Sequence, residues 1–104
     1  MIRHCVFVKF RSGVSKDERA EIYAGLAALV GQVDGLISAD FGPNVSPEGL
    51  AQGFNDGFIM DLADEAARDR YLADPAHKAA GARLVAALEG GRDGLIVFDL
   101  KVEK

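Results

Sequence analysis

Apolar residues recur along this chain with two alternating periods. From Ile2 to Phe10 alternate residues Ile2, His4, Val6, Val8 and Phe10, all but His4 apolar, share one face of an extended segment, and Cys5 and Phe7 point to the other. Both faces are apolar, so the segment is expected to be an interior strand. Ser15 followed by Glu18 has capping-box spacing, and Ile22, Tyr23, Leu26, Leu29, Val30 and Val33 then return at helical intervals, which predicts a helix over 16–32 closing at Asp34-Gly35. A second, more polar strand is expected over 36–44, with Pro43 and Pro47 marking the loop beyond it. The next strand is expected over 54–62, with Phe54, Phe58, Met60 and Leu62 on one face. Asp64 caps a short helix to Leu72, and Asp74-Pro75 supplies a fresh cap and first-turn proline for a further helix through Leu84, Val85 and Leu88. The run Gly90 to Gly94 ends it, and the last strand is expected over 95–102.

This order is βαββαβ with a broken second helix. It predicts an α+β, ferredoxin-like domain with helices on one face of a four-stranded antiparallel sheet. The other face is left uncovered. On the first strand it is expected to carry Val6, Val8 and Phe10, too apolar to stay wet, so a second copy of the chain is expected to cover it in a homodimer.

With 104 residues and no break in composition, the chain reads as a single domain over 1–104. Its net charge of −4, with basic residues dispersed among acids, argues against a nucleic-acid partner. No apolar run is long enough to span a bilayer, and the N-terminus enters a strand without a signal-peptide layout, so no membrane partner and a cytoplasmic location are expected. The single cysteine, Cys5, excludes an internal disulfide and agrees with a reducing compartment.

Chemistry centres on His4 and His77, the only two histidines, and on Tyr71. Histidine is the side chain whose ordinary pKa lies nearest neutrality, and a phenol beside it can hold a developing enolate. His77 falls at the third position of the helix opened by Asp74, where the positive helix end disfavours imidazolium and Asp74 partly opposes this. Two readings stand side by side: an acid–base pocket, or a hydrogen-bonded trio that ties the broken helix to the first strand. Cys5 is adjacent to His4 but points to the opposite face, so the two form no nucleophile and base. No His-x-x-x-His or Cys-x-x-Cys spacing suggests a metal, and the glycine run at 90–94 leads into a strand and lacks the Lys-Ser/Thr of a phosphate loop. Asp61, Asp64, Glu65 and Asp69 read as a cap and a solvated face. Tyr23, Leu26, Phe54 and Phe58 read first as core and second as cavity wall.

Five segments in register, His4-Cys-Val-Phe-Val-Lys9-Phe10, Gly42-Pro-Asn44-Val-Ser46-Pro47-Glu48, Gly53-Phe-Asn-Asp-Gly57-Phe58, Tyr71-Leu-Ala-Asp-Pro75-Ala-His77 and Val97-Phe98-Asp99, together resemble the stress-responsive dimeric α/β-barrel family. The resemblance implies sheets paired across a dimer, and a cavity between sheet and helices lined by Val6, Val8, Ile22, Leu26, Phe58 and Leu88. One plant member is a cofactor-free polyketide cyclase. Its catalytic tyrosine and histidine correspond to Tyr71 and His77, and its first-strand pocket histidine to His4, which implies His77 as base, Tyr71 as its orienting or oxyanion-holding partner, His4 as a second donor, and no cofactor. That cyclase has aromatic pocket residues where Leu26 and Leu88 stand, so a different substrate is expected, and a histidine frequent in the family is Asp56 here. The implied activity is enolisation, cyclisation or isomerisation of a small carbonyl or polyketide-like compound. The alternatives are a non-catalytic dimer that binds a small hydrophobic molecule or has a stress-protective role, and a cofactor-free or haem-dependent monooxygenase.

Overall fold

The computed structural model describes residues 1–103. Its elements are β1 (Ile2–Val8), α1 (Lys16–Ala27), β2 (Leu36–Pro43), β3 (Asp56–Leu62), α2 (Glu65–Ala73), α3 (Pro75–Ala86), a 3-10 turn (Gly91–Gly94) and β4 (Leu95–Lys101). The strands form one antiparallel sheet in the order β2-β3-β1-β4, the ferredoxin-like arrangement, with β1 inside and β2 and β4 at the edges. No helix is long and apolar enough to cross a membrane among the described residues.

The helices cover the face that carries Ile2, His4, Val6 and Val8 of β1 and Phe58, Met60 and Leu62 of β3. Ile22 and Leu26 from α1, Tyr71 from α2 and Leu84 from α3 close over it. Each fully buried side chain of this size contributes roughly 1.5–3 kcal/mol. The expectation that Val6, Val8 and Phe10 lie on the uncovered face is therefore corrected: Val6 and Val8 are 3% and 0% exposed beneath the helices, and Phe10 lies past the strand end, packed at the core margin. Alternation sorts residues into two faces but does not say which one the helices take, and both faces of β1 are apolar. The uncovered face carries Phe7 of β1 and Ile96, Phe98 and Leu100 of β4, all large apolar side chains at least 40% exposed.

Helix α1 is shorter than its apolar spacing suggests. Ser15 Oγ accepts from Glu18 N at 3.0 Å at its start, but after Ala27 the chain tightens into i to i+3 bonds, Leu29 N to Leu26 O and Val30 N to Ala27 O, both 3.1 Å. Leu29 and Val33 still reach the core through these turns, so the hydrophobic pattern outlasts the helix. Strand β3 starts at Asp56 rather than Phe54, whose ring instead lies under Lys9 Nζ at 4.6 Å. Gly35, at φ +87°, sits where a Cβ would fall 2.5 Å from Ala67 Cβ, so this left-handed turn presses β2 onto α2.

The break between α2 and α3 has a local cause. Asp64 Oδ1 accepts from Ala67 N at 2.8 Å to open α2. Asp74 ends α2 in extended geometry and opens α3, its Oδ1 accepting from Ala76 N at 2.8 Å and His77 N at 3.3 Å, with Pro75 at the position where a missing N–H costs nothing. This junction positions the site.

Candidate active site

Tyr71 projects from the last turn of α2 and His77 from the first turn of α3, and their rings lie 4.0 Å apart between centroids at a 41° tilt. His4, from the middle of β1, meets Tyr71 edge-on at 5.7 Å and 70°. All three line one cavity of about 800 Å³ between the helices and the β1–β4 side of the sheet. Val6, Leu26 and Phe58 line it as well, with Leu84, Val85, Leu95 and Val97 completing most of the apolar wall. Val8, Ile22 and Leu88, expected in that lining, are instead sealed in the core. Val8 and Ile22 are buried on the inward faces of β1 and α1, and Leu88 follows the end of α3, bridged to Phe10.

Two residues absent from the sequence reading of the site hold His4. His4 Nδ1 lies 2.6 Å from Asp99 Oδ1, and Arg68 Nη1 donates to Asp99 Oδ2 at 3.1 Å. A carboxylate accepts only, so His4 presents Nδ1–H to Asp99 and leaves Nε2 as the ring atom available to the cavity. Asp99 sits directly across from His4 in the β1–β4 pairing. The one local signal for it is an acid inside the otherwise apolar strand Leu-Ile-Val-Phe-Asp-Leu. Arg68 stands one turn before Tyr71 on α2, so the Arg68–Asp99–His4 chain ties that helix to both strands.

His77 is held differently. Its Nδ1 is buried with no hydrogen-bond partner, and Nε2 faces Gly81, where an added Cβ would come to 3.9 Å. Burial lowers its pKa below the ordinary 6.5, the proximity of His4 adds to this, and the Leu72 backbone, at a looser contact than a well-formed hydrogen bond, and Asp74 oppose it. The ring is therefore neutral at pH 7. Burial pushes the Tyr71 phenol well above its usual range, which keeps it a hydrogen-bond donor and rules it out as a base. Asp56 pairs with Arg19 at 3.8 Å and takes no part in the cavity wall. Cys5 is buried, and burial raises its thiol pKa first of all, as befits a small core residue and not a nucleophile. Among the described residues no group of three or more His, Cys, Asp or Glu side chains is placed to hold a metal ion.

Comparison with known proteins bears on this geometry. The stress-response A/B barrel domain-containing protein HS1 of Arabidopsis thaliana is 29% identical over 100 residues, covering 96% of this chain and 88% of the relative. A dimeric ferredoxin-like protein of unknown function from a Jannaschia species superposes with a TM-score of 0.90 at 34% identity, covering 97% and 98% of the two chains. The hydroxynitrile lyase of Passiflora edulis shares the fold, with a TM-score of 0.86 at 19% identity over 99% and 94% of the chains. The family model for the stress responsive A/B barrel domain matches residues 2–102, essentially the whole chain, and the chain belongs to that family.

Proposed function

We propose that the chain acts as a homodimer whose cavity carries out cofactor-independent acid–base chemistry on a small carbonyl compound, by enolisation, isomerisation or cyclisation. The observation that carries this reading is His77: a neutral, half-buried imidazole stacked on a buried phenol at the wall of an apolar cavity large enough for a small ligand. A neutral imidazole carries a single N–H, and with it on the buried Nδ1 the Nε2 lone pair is the atom able to act as a base.

In this reading His77 Nε2 removes a proton from the carbon next to the carbonyl, and Tyr71 O–H donates to the oxygen as it gains negative charge. The imidazolium then returns the proton to the same carbon, to another carbon, or to an alkoxide formed when the enolate attacks a second carbonyl. Each course leaves the protein unchanged. His4, its tautomer set by Asp99, adds a polar contact at Nε2. Likeness in fold to a protein named hydroxynitrile lyase agrees with small-molecule catalysis on this scaffold. The dimer is supported by the apolar uncovered sheet face and by the dimeric Jannaschia protein.

Hydrogen–deuterium exchange of 2-decanone at the carbons flanking its carbonyl, followed by NMR in D₂O, tests the reading. The wild-type chain is expected to accelerate exchange, His77→Ala to abolish the acceleration with its circular dichroism unchanged, and Tyr71→Phe to weaken it by about one to three powers of ten. Equal exchange with wild type and His77→Ala would overturn the catalytic reading and leave the packed rings of His4, Tyr71 and His77 as a purely structural tie.

A further inference from the structure

The charges on the cavity wall are all of one sign. Apart from the two histidines, the charged residues lining it are Lys78 and Arg92, and no Asp or Glu lines it, in a chain with 16 acids against 12 lysines and arginines. Neither cation forms an ion pair among the described residues, whereas Arg3, Arg68, Arg83 and Lys101 each have a carboxylate within 3.3 Å. The two come from different elements. Lys78 follows His77 in the first turn of α3, and Arg92 stands in the 3-10 turn that packs against the far end of the same helix, where a Cβ on Gly91 would come 3.9 Å from Val85 Cγ1. Lys78 and Val85 are about 10 Å apart along a helix that rises 1.5 Å per residue. The two exposed cations therefore line the cavity from near opposite ends of α3, with His77 and Tyr71 at the end that carries Lys78.

We infer that the cavity takes an anionic carbonyl compound, an oxo-carboxylate whose apolar body lies against Val6, Leu26, Phe58 and Leu95, whose carbonyl lies at His77 and Tyr71, and whose carboxylate is held by Arg92 with Lys78 adding positive field at the mouth. The guanidinium fork matches a carboxylate in two parallel hydrogen bonds, and the spacing along α3 suits a chain of about eight carbons between the two ends. A chain of net charge −4 repels an anion at long range, so a local cationic mouth is what lets one enter. The inference rests on the proposed site and adds the class of its substrate.

Titration calorimetry with 9-oxodecanoate and its methyl ester decides it. The acid is expected to bind the wild-type chain at least about tenfold more tightly than the ester, the size of one charge-assisted hydrogen bond, and to lose that preference as salt rises from 50 to 500 mM. Arg92→Gln and Lys78→Gln together should remove the difference in affinity between the acid and the ester. Equal binding of acid and ester by the wild type, no measurable binding of the acid, or a preference that survives in the double variant overturns the inference. Preferential binding of the acid without His77-dependent proton exchange supports it and removes only the catalytic reading.

Discussion

Replacing Asp99 with alanine removes the carboxylate at the centre of the Arg68–Asp99–His4 chain and leaves the Nδ1–H of His4, 4% exposed, without an acceptor. A hydrogen bond to a charged group contributes about 1.5–3 kcal/mol, and the 2.6 Å separation marks a strong one. The Asp99 side chain is 24% exposed, which lowers the gain, but the His4 side chain is 6% exposed, which makes the abandoned donor costly. Together these give a loss of about 2–3 kcal/mol, a large share of the roughly 5–15 kcal/mol that holds a domain of this kind. Arg68 keeps its second partner, Asp69 at 2.9 Å, so no orphaned guanidinium adds to the loss. Asp99→Asn, which retains a neutral acceptor of the same shape, should lose about 1 kcal/mol. The chain has no tryptophan, so urea unfolding is best followed by circular dichroism, with protein concentration fixed because the proposed dimer would contribute to apparent stability. An alanine variant within about 0.5 kcal/mol of wild type would show that the pair is solvated and that His4 is held by packing alone.

The two sheet faces give opposite outcomes to the same change. Val8→Asp places a carboxylate at a fully buried position under the helices and should abolish folding, whereas Phe98→Asp, on the uncovered face, should leave a folded chain that sediments as a monomer; a dimeric Phe98→Asp would move the interface elsewhere. Asp74→Ala should lower stability by about 1 kcal/mol through the lost cap of α3, and an unchanged denaturation midpoint would contradict that cap. The His77 pKa is depressed in the fold, so in acid the unfolded chain takes up a proton that the folded chain resists; stability present above about pH 6.5 is lost as pH falls below it, and His77→Gln should flatten that loss in unfolding curves taken from pH 7.5 to 5. Identical pH dependence in variant and wild type would place the titration elsewhere.

Much of the fold is legible from local rules. Alternation from Ile2 to Val8, the Ser15 and Asp64 caps and the Asp74-Pro75 break place β1, the start of α1, α2 and α3 within a few residues, because each is decided by neighbours in the chain. The meeting of His4, Tyr71 and His77 is legible for the same reason, once the strand face and the second helix start are known. What local rules do not reach is depth and partnership. Alternation does not tell which face the helices cover, and it treats Val6 and Val8 alike although only Val6 borders the cavity. Asp99 meets His4 through strand pairing across almost the full length of the chain, and Arg68 reaches Asp99 from a helix; no spacing in the sequence encodes either contact. The end of α1 is hidden because Leu29 and Val33 remain apolar through the turns that replace it.

The interruption between α2 and α3 makes the contact between phenol and imidazole possible at all. On an unbroken helix each residue advances about 100° and 1.5 Å, so residues 71 and 77 would point about 120° apart and stand about 9 Å from each other along the axis. Stacking at 4.0 Å is out of reach in that geometry. The pairing is thus a property of the Asp74-Pro75 dipeptide as much as of the two rings it brings together. A related chain that kept both rings but ran one continuous helix through this point would retain the residues and lose the site, and grafting the tyrosine and histidine onto a straight helix of another scaffold would not transfer it. The unit that carries this arrangement is the whole seven-residue stretch from Tyr71 to His77, backbone turn included.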